Sequence, residues 1–227
     1  MEVIIKVNSQ TQGRDKIARL IQYFCRAAWS SYNENDFNNI ENIKFFQSIE
    51  STLSLFRKLL RFGKGFEVLY SSIKTSHFND LILKITVTIS RIASGLFLLY
   101  DHLIWLSRAG FAKTIDLKSC MERSNRFWLI SLAMNLCRDY YELLKIYNDY
   151  YRRNYQNIRH NSPSKVSRTI VLENKGLVVD TIKNTCDIFI PLNTLGYTKF
   201  SPMFIGLLGV TSSIAGLLPL LHNQYKF

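Results

Sequence analysis

Proline is scarce in this chain: Pro163, Pro191, Pro202 and Pro219 are the only four among 227 residues. The first 162 residues therefore contain no obligatory helix breaker, which predicts a largely helical protein. Cysteine is equally sparse. Cys25, Cys120, Cys137 and Cys186 form no Cys-x-x-Cys or Cys/His spacing, so structural zinc is not expected and reduced thiols fit best. Acidic residues are few, 17 against 29 Lys plus Arg, and the resulting charge of +12 predicts a polyanionic partner, nucleic acid or anionic lipid. Catalytic signatures are absent too. There is no phosphate-binding glycine loop, no His-Glu-x-x-His and no Gly-x-Ser-x-Gly elbow, so the chain is expected to be non-enzymatic and to need no metal or cofactor.

The amino-terminal run Met1 to Lys6 has no basic region followed by a long apolar stretch, so a cleaved secretory signal is not expected. The ending Gln224-Tyr225-Lys226-Phe227 is neither a Ser-Lys-Leu address nor a prenylation box, and organelle targeting is expected to be internal. With 47% hydrophobic residues, the chain has ample material for a packed structure.

What is present divides the chain into four regions. Residues 200–225 carry no Asp, Glu, Lys or Arg. Their centre, Met203 to Leu221, would reach about 28 Å as a helix, close to the ~30 Å hydrocarbon core of a bilayer, and predicts a C-terminal transmembrane helix. Gly209, Ser213 and Gly216 lie on a small-residue face that suits close helix approach in lipid, and self-association is expected there. Residues 92–108 form a second apolar stretch, interrupted by Asp101 and His102. Its apolar part, Ile92 to Leu106, spans only about 22 Å, which leaves a short span, an interfacial helix and a soluble core helix all open. Basic residues cannot set the orientation: 13 lie in positions 1–91 and 15 between Arg108 and Lys199.

Region 1–91 is expected to consist of membrane-curving amphipathic helices. On a helical wheel, residues 45–61 segregate cleanly. Phe46, Ile49, Leu53, Phe56 and Leu60 share one apolar half with Phe45, Leu55 and Leu59, while the polar residues fill the other. Arg57, Lys58, Arg61 and Lys64 place four cations within eight residues. This predicts a helix lying in the headgroup plane, with the apolar half inserted and the cations on anionic phospholipid. A core helix with a solvated basic face fits the wheel equally well.

Region 109–199 carries further amphipathic helices. In residues 127–147 the polar groups, among them Ser131, Asn135, Arg138 and Asp139, fall within about a 120° arc. The wide apolar remainder suits deep insertion or central packing. Residues 148–175 read as a basic, tyrosine-rich connecting loop, and without an accompanying nucleic-acid motif no nucleic-acid partner is expected. A helix is expected from Gly176, with Asp180, Asn184 and Asp187 as its polar stripe, ending before Pro191.

Several runs together resemble the peroxin-11 family of peroxisomal membrane elongation and proliferation factors. They are Gly13 to Arg26, Arg57-Lys58-Leu59-Leu60-Arg61-Phe62-Gly63-Lys64, Leu99 to Arg108, Phe127 to Glu142, Lys183-Asn184-Thr185-Cys186-Asp187, and Ser201-Pro202 through Pro219. The resemblance implies an integral peroxisomal membrane protein with both termini toward the cytosol. It also implies homo-oligomerisation, curvature generated by amphipathic helices, and recruitment of a dynamin-related fission GTPase with a tail-anchored adaptor. A pore for small metabolites has also been raised within this family, and Asp101, His102 and Arg108 would be its intramembrane polar candidates. All-helical architecture is thus expected on both grounds.

Overall fold

The computed structural model describes residues 2–32, 37–74, 79–112, 114–153 and 163–225. Helices α1 (Glu2–Ser9), α2 (Thr11–Ser31), α3 (Phe37–Leu60), α4 (Lys64–Ile73) and α5 (Leu81–Arg108) are followed by α6 (Leu117–Arg153), α7 (Pro163–Glu173), α8 (Lys175–Thr194) and α9 (Pro202–Leu221). A 3-10 turn, Asn223–Tyr225, closes the described chain, and no strand occurs among the described residues.

Local chemistry sets the boundaries. Asp80 caps α5 by accepting hydrogen bonds from the backbone N–H groups of Ile82 (3.1 Å) and Leu83 (3.5 Å). Ser201 caps α9, with Pro202 at the first position, where a missing N–H costs nothing. Gly63 adopts φ +80°, a left-handed conformation that divides the predicted 45–64 helix into α3 and α4.

Three further boundaries differ from expectation. The predicted loop at 148–175 is largely helical where it is described: α6 runs to Arg153 and α7 occupies Pro163–Glu173, while 154–162 lie outside the described residues. Pro163 starts a helix rather than ending one. Helix α8 begins at Lys175 and continues through Pro191 to Thr194, because Pro191 is buried and Leu195 still donates to its carbonyl at 2.9 Å. The central segment is longer than its apolar stretch suggested. All 28 residues of α5 are helical, about 42 Å in length.

Neighbouring helices run mostly antiparallel, in the pairs α2/α3, α4/α5, α5/α6, α6/α8 and α2/α9. Tyr23, Ile190 and Ile205 form a small buried cluster where α2, α8 and α9 meet, with Trp128 of α6 against it. Glycine makes two of these crossings possible. Gly65 faces Gly95 at the α4/α5 contact, and Gly206 approaches the backbone of Ala27 at the α9/α2 contact.

The polarity of the bundle is inverted relative to a water-soluble protein. Arg19, Arg57, Asp101, Asp139, Asn184 and Asp187 are buried, whereas Phe24, Phe45, Phe66, Ile73, Ile85 and Leu207 are exposed. Water-soluble monomers rarely leave large apolar patches uncovered. Helices α5 and α9 each contain a window long and apolar enough to cross a membrane, with mean hydropathy 1.7 and 2.0. Only 28% and 33% of those windows are buried, so neither behaves as the core helix of a soluble fold.

Candidate functional site

An apolar strip runs along the end of α3 and the outer surface of α4. Phe56, Leu59, Phe62, Phe66, Tyr70 and Ile73 are exposed and carry it past the Gly63 turn, whereas Phe45, 61% exposed, is separated from it by exposed Gln47, Ser48, Ser51 and Thr52. Of the predicted apolar face, Phe56 is fully on this surface. Phe46, Ile49, Leu53 and Leu60 are half-buried toward α2 and the turn, and Phe46 stacks on Tyr32 with centroids 6.1 Å apart. Helix α4 is 10 residues long, about 15 Å, or half the hydrocarbon thickness of a bilayer.

Behind this strip lies the charge. Arg57 Nε donates to Asp15 at 3.0 Å and its Nη1 to Gln22 at 2.8 Å. Lys58 Nζ reaches Asp101 at 2.7 Å, and Arg61 Nη2 reaches the other oxygen of Asp101 at 2.9 Å. His102 bonds the Arg61 carbonyl at 2.9 Å through Nε2. Three of the four cations expected on anionic lipid are therefore turned inward, holding α3 to α2 and α5. Phe45, Phe56 and Leu59 of the apolar half face outward, as a helix in the headgroup plane requires, while Arg57, Lys58 and Arg61 meet carboxylates of the same chain. Lys64 alone of the four makes no ion pair among the described residues. Asp101 and His102, the candidate lumen groups, are buried and partnered, and Arg108 is exposed at the end of α5.

A second network ties α2, α6 and α8 together. Arg19 pairs with Asp187. Asp139, fully buried, accepts from Arg138 at 2.6 Å and from Asn184 at 2.8 Å, and Arg138 also reaches Asp180 at 2.6 Å. The polar stripe Asp180, Asn184, Asp187 and the narrow polar arc of residues 127–147 are thus both internal. Ser131 of that arc meets Ser94 at 2.6 Å across the α5/α6 contact.

Burial perturbs several of these groups. Asp15 is pushed up by burial, but Arg57 and Arg61 overcome this and hold it below the usual carboxylate range. Burial pulls Arg57 down to about 10. Lys16, which makes no hydrogen bond or ion pair among the described residues, is pulled down to about 7 by burial and by Arg19 and Lys183 nearby. No sequence signal singles out Lys16, because the neighbours that perturb it include Lys183, brought near only by the fold.

The small-residue face of α9 is occupied within the chain. Gly209 packs on the Tyr23 ring and Gly216 on Lys16, and Ser213 is fully buried, donating to the Gly209 carbonyl at 2.6 Å. This corrects the expectation that Gly209, Ser213 and Gly216 serve a second copy: α2 already fills the space that small residues leave. Among the described residues, no group of three His, Cys, Asp or Glu is placed to hold a metal ion.

Comparison with known proteins agrees with this inverted, lipid-compatible bundle. The family model described as peroxisomal biogenesis factor 11 (PEX11) matches residues 1–221. Peroxisomal membrane protein 11B of Homo sapiens is 28% identical over 253 residues, covering 98% of this chain and 97% of that protein. Peroxisomal membrane protein 11A of Bos taurus is 27% identical, covering 100% and 98%. Peroxisomal membrane protein PMP30B of Candida boidinii is 27% identical, covering 94% and 91%. No solved structure matches the chain.

Proposed function

The chain belongs to the peroxisomal biogenesis factor 11 family, and from that premise we propose that it remodels the peroxisomal membrane, elongating it by inserting α3 and α4 as a wedge and so promoting peroxisome fission and proliferation. The observation that carries the reading is the exposed apolar strip from Phe56 to Ile73 laid over inward-turned charge. A helix about 15 Å long, fastened to the longer α5, displaces lipid over part of the bilayer depth only. Unequal displacement between leaflets favours curvature.

Two spans, α5 and α9, return the chain to its starting side, which supports both termini on one face of the membrane, the cytosolic face as the family resemblance implies. An elongated membrane is then the substrate for a dynamin-related fission GTPase and its tail-anchored adaptor, the partners that the family resemblance implies. Homo-oligomerisation is retained in this reading, through a surface other than the buried face of α9.

The test is tubulation of proteoliposomes by the full chain. Phe66→Glu with Ile73→Glu places two carboxylates on the exposed strip, where they would be costly in lipid. The double variant is expected to insert through α5 and α9 yet leave vesicles spherical. Tubules equal to those of the wild type would refute the wedge.

A further inference from the structure

A cavity of about 250 Å³ lies where α2, α3, α5 and α6 converge. Arg19, Arg57, Lys58, Arg61 and Arg108 line it together with Lys16, against Asp15 and Asp101. Leaving aside Lys16, which burial holds partly neutral, and including Asp187, the Arg19 partner on α8, five cations face three carboxylates. A buried excess of positive charge is strongly unfavourable unless something neutralises it.

Two groups in the wall lack a protein partner. Arg19 Nε is buried and makes no hydrogen bond, on a side chain only 7% exposed. Lys16 makes neither a hydrogen bond nor an ion pair among the described residues. Arg108 stands at the rim as the last residue of α5. That places the opening at one end of a candidate span.

We propose that this cavity is a phosphoryl-binding site that takes a phosphate monoester, either an anionic lipid headgroup of the phosphatidate type or a soluble phosphorylated small molecule. A phosphate monoester carries a charge of about −1.5 to −2 at neutral pH and three strong acceptor oxygens. Its charge matches the excess of two cations, and its oxygens match the unused guanidinium and ammonium donors. A carboxylate ligand would leave one positive charge uncompensated. The site does not depend on whether α3 and α4 act as a wedge.

The experiment uses the full chain in neutral detergent and follows thermal unfolding at matched ionic strength. Inorganic phosphate and a short-chain phosphatidate are the probes, with chloride and a short-chain phosphatidylcholine as controls. A specific ligand at a hundred times its Kd stabilises the folded state enough to raise the melting temperature by several degrees. Stabilisation by phosphatidate alone assigns a lipid ligand, and stabilisation by both probes assigns a soluble one. Lys16→Met orphans no partner and should fold while losing at least ten-fold in affinity. Arg108→Gln, at an exposed residue whose side chain contacts the Met121 Sδ at 3.9 Å, carries the same test if Lys16→Met does not fold. A response to neither probe beyond the controls would overturn the site. So would an undiminished response in the folded variants.

Discussion

Arg19 on α2 and Asp187 on α8 lie 168 residues apart in sequence and meet as a buried, two-pronged ion pair. Both side chains are less than a tenth exposed. Removing one member leaves the other charged and buried, whereas replacing both with apolar groups removes the problem. Asp187→Ala is therefore expected to destabilise the chain by about 3–5 kcal/mol. Arg19→Met with Asp187→Leu should recover most of that loss. Thermal unfolding in detergent measures both, and a double variant no better than Asp187→Ala would contradict the account.

Acid sensitivity should come in part from Asp15. Its folded pKa lies below its ordinary value of 3.8, because Arg57 and Arg61 outweigh the effect of burial. A depressed carboxylate contributes stability that is present above its unfolded pKa and is lost as pH falls through the folded one. The melting temperature is thus expected to hold down to about pH 4 and then fall. Asp15→Asn should lower it at pH 7 and flatten the acid limb. An unchanged acid limb in that variant would assign the sensitivity to other carboxylates.

The α9/α2 contact should respond to a single methyl group. A Cβ at Gly206 would sit 2.7 Å from the backbone nitrogen of Ala27, an atom that cannot move aside without shifting α2. Gly206→Ala is expected to cost about 1–3 kcal/mol, as overpacking does. At Gly216 the obstructing atom is the Lys16 Nζ, 2.9 Å away at the end of a flexible side chain, so Gly216→Ala should cost less. Crosslinking between copies should be unaffected by either change. Loss of crosslinks with unchanged stability would return this face to self-association.

Attachment to the membrane should resist salt. Screening weakens exposed charge pairs, but Arg57, Lys58 and Arg61 are committed to Asp15 and Asp101 inside the bundle. The full chain is expected to remain in the membrane pellet after high salt and after alkaline carbonate. A peptide of residues 45–64, whose cations have no such partners, should bind anionic vesicles and be released by salt. Release of the full chain by either treatment would sink the membrane-embedded reading.

Much of this architecture is legible in the sequence. Within the proline-free first 162 residues the described chain is mostly helical, and the uncharged carboxy-terminal run became α9. Periodicity also separated polar from apolar on α3, α6 and α8. Periodicity cannot say which side faces in. A wheel for Arg57, Lys58 and Arg61 looks the same whether water or carboxylates wait opposite. Those partners, Asp15 upstream and Asp101 downstream, are each some 40 residues away, and only the fold brings them near. The same holds for Gly209, where small residues announced a close helix contact without naming the helix. Helix α5 exceeds its apolar stretch because the charge of Arg91, which precedes that stretch, does not end the helix: Arg91 donates to the Ser71 carbonyl at 2.8 Å and the helix runs through it.

The long sequence distance between Arg19 and Asp187 has a consequence for how the protein is made. At a synthesis rate of 5–20 residues per second, about 10–30 s separate the emergence of α2 from that of its partner on α8. Throughout that interval Arg19 carries a charge that lipid would not accept without several kcal/mol of penalty. Settling α2 into the bilayer as it leaves the ribosome is thus disfavoured. Completion of α8 comes first, and a nascent amino-terminal half must be kept from both lipid and aggregation until the far end of the chain arrives.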